Sequence, residues 1–185
     1  MEGDRTMLRN MFKHIALVMR HKHKVFVLCT KAGIPWQGLW HDMSKFSPTE
    51  FWESVRYFNG KHSPITECIR INGYSKAWLH HKGRNKHHYE YWYDEGISGK
   101  MPIIPYKYIV EMICDNLAAG MTYMGKNWTA DYQYKYWLRR MQKSFINPTI
   151  NGIVLEVLEK VSLYGIDDVI KKDVLKEIYD KRVNF

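Results

Sequence analysis

Helix-starting residues punctuate this chain at short intervals, and the apolar residues between them recur at helical spacing. Ser47-Pro48-Thr49-Glu50 combines an N-cap serine, a proline suited to the first turn and a glutamate placed to complete a capping box. Ser63-Pro64, Ser75, Thr129 and Asn147-Pro148 give further starts. Little of the sequence alternates with the two-residue period of a strand. An all-α fold is therefore expected.

The first helix is expected over 7–30, with Phe12, Ile15, Val18, Met19, Val25 and Phe26 as its apolar face. A short second helix from Pro35 carries Trp36, Leu39, Trp40 and His41-Asp42 to Met43, and the spacing of Trp36, Trp40 and Trp78 marks them as core. Helices then follow from Ser47, Ser63 and Ser75, with Gly83 interrupting the last and a further helical segment over 86–93. Two glycines and two prolines make 96–105 a loop. A long helix over 105–125 and another from Thr129 to about 145 complete the first unit. The last forty residues change composition: Ile153, Val154, Val157, Leu158 and Val161 form an aliphatic helix ending at Gly165, and 167–179 forms an amphipathic one. The reading divides the chain into a helical domain over 1–146 and a C-terminal helical hairpin appendage over 147–185, which makes a homodimer one expectation.

Composition limits the rest. The chain has 185 residues, enough for one well-packed core, and 45% of them are hydrophobic, too many for a disordered chain. No apolar run approaches the roughly 20 residues of a membrane span, and the first ten residues lack the apolar stretch of a signal peptide. Cys29, Cys68 and Cys114 are too few and too scattered for a disulfide framework or a CxxC zinc site, so a cytoplasmic location is expected. No GxGxxG, P-loop, GxSxG or HExxH motif occurs. The net charge of +9 calls for an anionic partner: a phosphorylated small molecule such as a nucleotide, or nucleic acid.

The nine histidines are clustered. His14 and His21 lie seven apart, two turns on one helix face. His41 precedes Asp42, and adjacent helical residues diverge by roughly 100°, an angle that a metal between them can still bridge. Asp115 falls within the apolar stripe of the long helix, where a carboxylate either pairs, coordinates a cation or lies at the stripe's wet edge. His80-His81-Lys82-Gly83-Arg84-Asn85-Lys86-His87-His88 holds four histidines and three cations without an acid.

The order His21, His41-Asp42, Asp115, with Lys45 closing His41-Asp42-Met43-Ser44-Lys45, resembles the HD superfamily of metal-dependent phosphohydrolases. The span from Phe12 to Gly125 also resembles a family of short bacterial and phage proteins known only as a domain of unknown function. The first resemblance implies an HD-like helical bundle in which His21, His41, Asp42 and Asp115 bind a divalent transition metal. Mixed imidazole and carboxylate ligands suit Mn, Fe, Co, Ni or Zn. It also implies that some of His80, His81, His87 and His88, one of each pair two turns apart, supply ligands to a second metal, giving one or two ions per chain.

Metal-dependent hydrolysis of a nucleotide, cyclic nucleotide or other small phosphate ester is the expected activity. Lys45, Asp42, His81 and Arg84 are its candidate catalytic residues, and Lys82, Arg84, Lys86 and Tyr89 its candidate substrate contacts. Two other readings fit the same residues: a di-iron, oxygen-dependent enzyme, and a non-catalytic basic module that binds nucleotide or nucleic acid.

Overall fold

The computed structural model describes the chain apart from Met1, Lys61, Lys143 and Phe185, with side chains from Thr6 onward. Among the described residues the fold is all-α, without strands, and no helix is long and apolar enough to cross a membrane. Ten α-helices follow one another: α1 (Glu2–Lys31), α2 (Pro35–Trp40), α3 (Pro48–Arg56), α4 (Pro64–Asn72), α5 (Lys76–Lys82), α6 (Tyr106–Met124), α7 (Ala130–Met141), α8 (Pro148–Tyr164), α9 (Ile166–Val169) and α10 (Lys172–Val183). Most of the expected caps form: Ser47 accepts from the Glu50 amide, Ser75 from Trp78, Thr129 from Tyr132, and Asn147 from Thr149 and Ile150, whereas Ser63 starts α4 without a side-chain cap bond. Gly165, at φ +88°, ends α8.

One continuous core joins α1, α6 and α8. Val25, Leu28 and Cys29 of α1 meet Ile109, Ile113 and Leu117 of α6, and Ile150, Ile153, Val154, Val157 and Leu158 of α8 belong to the same buried cluster. Leu175 and Ile178 of α10 extend it. The final helical segment is broken where the sequence predicts one helix over 167–179: Ile170 leaves helical geometry between α9 and α10 and is itself buried.

α1 buries only part of the face its apolar residues predict. Val18, Val25, Leu28 and Ala32 turn inward with His14 and His21, whereas Phe12, Met19 and Phe26, spaced by seven, stay exposed. Apolar residues occupy two sides of this helix, and the side that α2, α3 and α6 cover is the one carrying the histidines. Trp36 and Trp40 are likewise not core, with exposures of 73% and 66%. Gly38 explains their position. It faces α1 so closely that a Cβ there would stand 2.7 Å from the Cys29 Cβ and 2.9 Å from the Phe26 Cα. The glycine side of α2 is therefore the packed side, and the tryptophans fall outside it.

Candidate metal centre

Helix α2 stops at Trp40, one residue before the histidine–aspartate pair that the sequence places on it. His41 is extended at φ −51°, ψ 129°, and Asp42 is left-handed at φ 54°, ψ 30°. A non-glycine residue in that region is uncommon, although aspartate tolerates it better than most. The bend removes the helical divergence of the two side chains and brings His41 Nε2 within 3.2 Å of Asp42 Oδ2. A 3-10 turn over Met43–Phe46 follows and returns Lys45 Nζ to 2.6 Å from the same oxygen.

Around this bend the chain assembles two sets of candidate metal ligands that share Asp42, with a third group, His41, His87 and Glu111, behind them. His21, His41, Asp42 and Asp115 offer atoms within 4.8 Å of one another, as do Asp42, His81, His87 and His88. α1 supplies His21 and α6 supplies Asp115, 3.0 Å apart. α5 supplies His81, whose Nε2 lies 3.3 Å from Asp42 Oδ1. His87 Nε2 approaches the same oxygen at 3.3 Å.

Gly83 interrupts the helix as expected, but the helical segment expected over 86–93 is reduced to a 3-10 turn over Tyr89–Trp92. α5 ends at Lys82, and the bonds Arg84 N–H to His81 O and Asn85 N–H to His81 O fold the chain back, so His87 and His88 arrive from a loop. The imidazoles of His81 and His88 are 4.8 Å apart between centroids, and Trp78 packs edge-on against His88 at 5.1 Å and parallel to His81 at 6.0 Å. His80 does not join either set. Its Nδ1 lies 2.6 Å from Glu50 Oε1.

The atoms facing the centre are buried and make no well-formed hydrogen bond, only ion-pair contacts within the centre: Nε2 of His21, His41, His87 and His88, and Oδ1 of Asp42. Buried polar atoms are ordinarily satisfied, and so many orphans converging on one point fit a cation. The opposite ring nitrogens are held. Glu111 Oε1 lies 2.9 Å from His41 Nδ1 and 3.1 Å from His87 Nδ1, and Glu50 Oε2 lies 2.7 Å from His81 Nδ1. Histidine ligands to metals are commonly anchored this way.

Electrostatics support the same view. Burial alone would raise the Asp42 carboxyl, yet His41, Lys45 and His81 hold it well below the usual carboxylate range. Asp115 is likewise held far down by His21 and His41 against its burial, and Glu111 is brought down to about 2 by His41 and His87 against the same opposing effect. Burial opposes a charge on His41, but Asp42, together with Asp115 and Glu111 around the ring, carries its pKa well above the usual histidine value. Burial lowers His21 and, reinforced by His87, His88. These carboxylates demand positive charge in a place where solvent cannot supply it.

The remaining candidates lie farther out. Lys45 is partly covered and stays charged beside Asp42, whose attraction outweighs burial and raises its pKa. Lys82 is half-buried, Arg84 and Lys86 are exposed, and Lys86 lies 6.0 Å from the Tyr91 ring and 5.7 Å from that of Tyr108. Tyr89 turns its hydroxyl to Ser144 at 3.2 Å.

Sequence reasoning misses the anchors Glu50, Glu111 and Gln37, and also Lys22, whose ammonium binds the His41 carbonyl and lies 3.6 Å from Met43 Sδ. Glu50 is half concealed by its cap: its amide does bond Ser47 Oγ, but its carboxylate leaves the capping box for His80 and His81. The Ser47 amide that the box would satisfy bonds Ser44 O instead. The cysteines are free thiols and join neither ligand set, and the hydrogen bond of Cys114 to Cys29, with burial, pushes the Cys114 thiol far up.

The model of a family described as a family of unknown function, DUF5662, matches residues 10–160. That span contains every residue of both ligand sets. No curated protein and no solved structure matches the chain.

Proposed function

We propose that this chain, which belongs to the DUF5662 family of unknown function, is a metal-dependent phosphohydrolase of the HD type acting on a nucleotide or another small phosphate ester. The observation that carries the reading is the convergence of four orphaned histidine Nε2 atoms on Asp42 and Asp115. His21, His41, Asp42 and Asp115 would hold one divalent ion, and His81, His87, His88 and Asp42 a second. Bound there, such ions supply an acidified water and Lewis-acid stabilisation of a phosphoryl group.

The protein's own groups then have separate tasks. Asp42 belongs to both sets, and Lys45 at 2.6 Å keeps it ionised. Lys45 and Lys22 are the cations closest to the His41-Asp42 bend, and both favour a phosphate over an uncharged substrate. Trp40 adjoins His41 in the chain and exposes its ring, a surface on which a base can stack.

The test is metal analysis of the purified protein, followed by a screen of nucleotides and phosphodiesters with Mn, Co, Fe or Zn. His41→Ala and Asp42→Ala should lose both metal and turnover while keeping a helical circular dichroism spectrum. A protein that takes up no metal after supplementation, or variants that keep full turnover, would overturn the proposal. Iron with an oxygen-dependent absorption band and no phosphatase activity would replace it with an oxygenase reading.

A further inference from the structure

Two buried glutamates stand behind the imidazoles, and they serve the ligand sets unequally. Glu111 presents one oxygen, Oε1, to His41 Nδ1 at 2.9 Å and His87 Nδ1 at 3.1 Å. His41 belongs to the first set and His87 to the second. The other oxygen of Glu111 accepts from Gln37 Nε2 at 2.6 Å, which fixes the carboxylate from the α2 side. Glu50 instead bonds His81 and His80, and so touches the second set alone.

An N–H donated from Nδ1 leaves Nε2 as the lone-pair nitrogen and fixes the ring's direction. A carboxylate acceptor also makes that nitrogen a better ligand. Because Glu111 does this for one ring of each set through a single atom, any change in its charge or position reaches both rings. Their centroids are only 4.5 Å apart. Glu111 also precedes Asp115 by one helical turn of α6, so the carboxylate behind the rings and the carboxylate ligand move with the same helix.

We infer that Glu111 is a positioning residue common to both metal positions, setting their affinities together, while Glu50 sets the second position only. The inference rests on the metal reading of the site. It says more than that reading, in which Asp42 alone links the two positions.

The experiment is titration of the metal-free full-length protein with Zn²⁺ by calorimetry, and with Co²⁺ by its visible absorption. His21→Gln and His88→Gln assign each binding step, since each removes a ligand from one set. Wild type should bind two equivalents. Glu111→Gln, which keeps shape but removes charge, should weaken both steps by about 10–100-fold, and Glu50→Gln the second step alone. Gln37→Leu leaves the carboxylate in place but untethered and should weaken both steps by a smaller factor, which keeps the test usable if Glu111→Gln does not fold.

A single equivalent in the wild type, or a Glu111→Gln protein with either step unchanged, overturns the inference. Equal weakening of both steps by Glu50→Gln also overturns it. No Zn²⁺ or Co²⁺ uptake by the wild type refutes the metal reading itself.

Discussion

His14 and His21 stand two turns apart on α1 and face inward, but their surroundings differ. His21 meets Asp115, whereas His14 meets the rings of Phe51 and Phe58, each at 5.9 Å, and its buried Nδ1 finds no partner. Burial, with a smaller effect from Lys45, lowers the His14 pKa to about 4. In the unfolded chain it would protonate near its ordinary value of 6.5. Between those values the unfolded state binds the extra proton, so stability falls as pH drops from 6.5 to about 4, by up to about 3 kcal/mol. His14→Phe removes that proton and keeps an aromatic ring between its neighbours. Its urea midpoint should therefore fall less steeply over this window than that of the wild type, and parallel curves would show that His14 does not titrate this way. The sequence places these two histidines on one helix face, but not that the face turns inward or which of them meets a carboxylate, because the partner is more than ninety residues away.

At the scale of elements, the site depends on how closely α2 approaches α1. Gly38 sets that distance, since a methyl group there would stand within 3 Å of the Cys29 Cβ and the Phe26 backbone. Gly38→Ala must push α2 outward, at a cost of about 1–3 kcal/mol. The shift is passed to Gln37 and to His41, the next residue but two, so metal affinity should fall along with the denaturation midpoint. An unchanged affinity in the destabilised variant would mean that the His41 bend is held independently of α2.

Much of this level is legible in the sequence. Ser47, Thr129 and Asn147 cap as their side chains dictate, and Pro105 and Gly165 bound their helices, because these effects are local. What is not legible is non-local. The break at Gly83 is legible, but where the chain goes after it is not, and helical periodicity runs past the left-handed turn at Asp42. Glu111 lies in an apolar run of α6 and gives no sign of its task until His41 and His87 are placed beside it.

For the whole molecule, the question is what carries the site. α6 holds Glu111 and Asp115 on one side, and Ile109, Ile113 and Leu117 of the same helix share a buried cluster with the aliphatic residues of α8. A chain ending at residue 146 would expose that cluster. The 1–146 fragment is therefore expected to lose cooperative thermal unfolding and metal binding together. A fragment that melts sharply and binds metal would make 147–185 a separable unit. Apolar periodicity identifies α8 and α10 as helices with a sticky side, yet it cannot name the surface that side meets, and another copy of the chain serves the pattern as well as α6 does.

The indole of Trp78 lies against the imidazoles of His81 and His88. A paramagnetic Co²⁺ held by those imidazoles would darken an indole packed against them, whereas the closed-shell Zn²⁺ would leave it bright. This tryptophan is thus an intrinsic lamp for the second ligand set. Its brightness would report Co²⁺ entering that set without a dye, a substrate or a label.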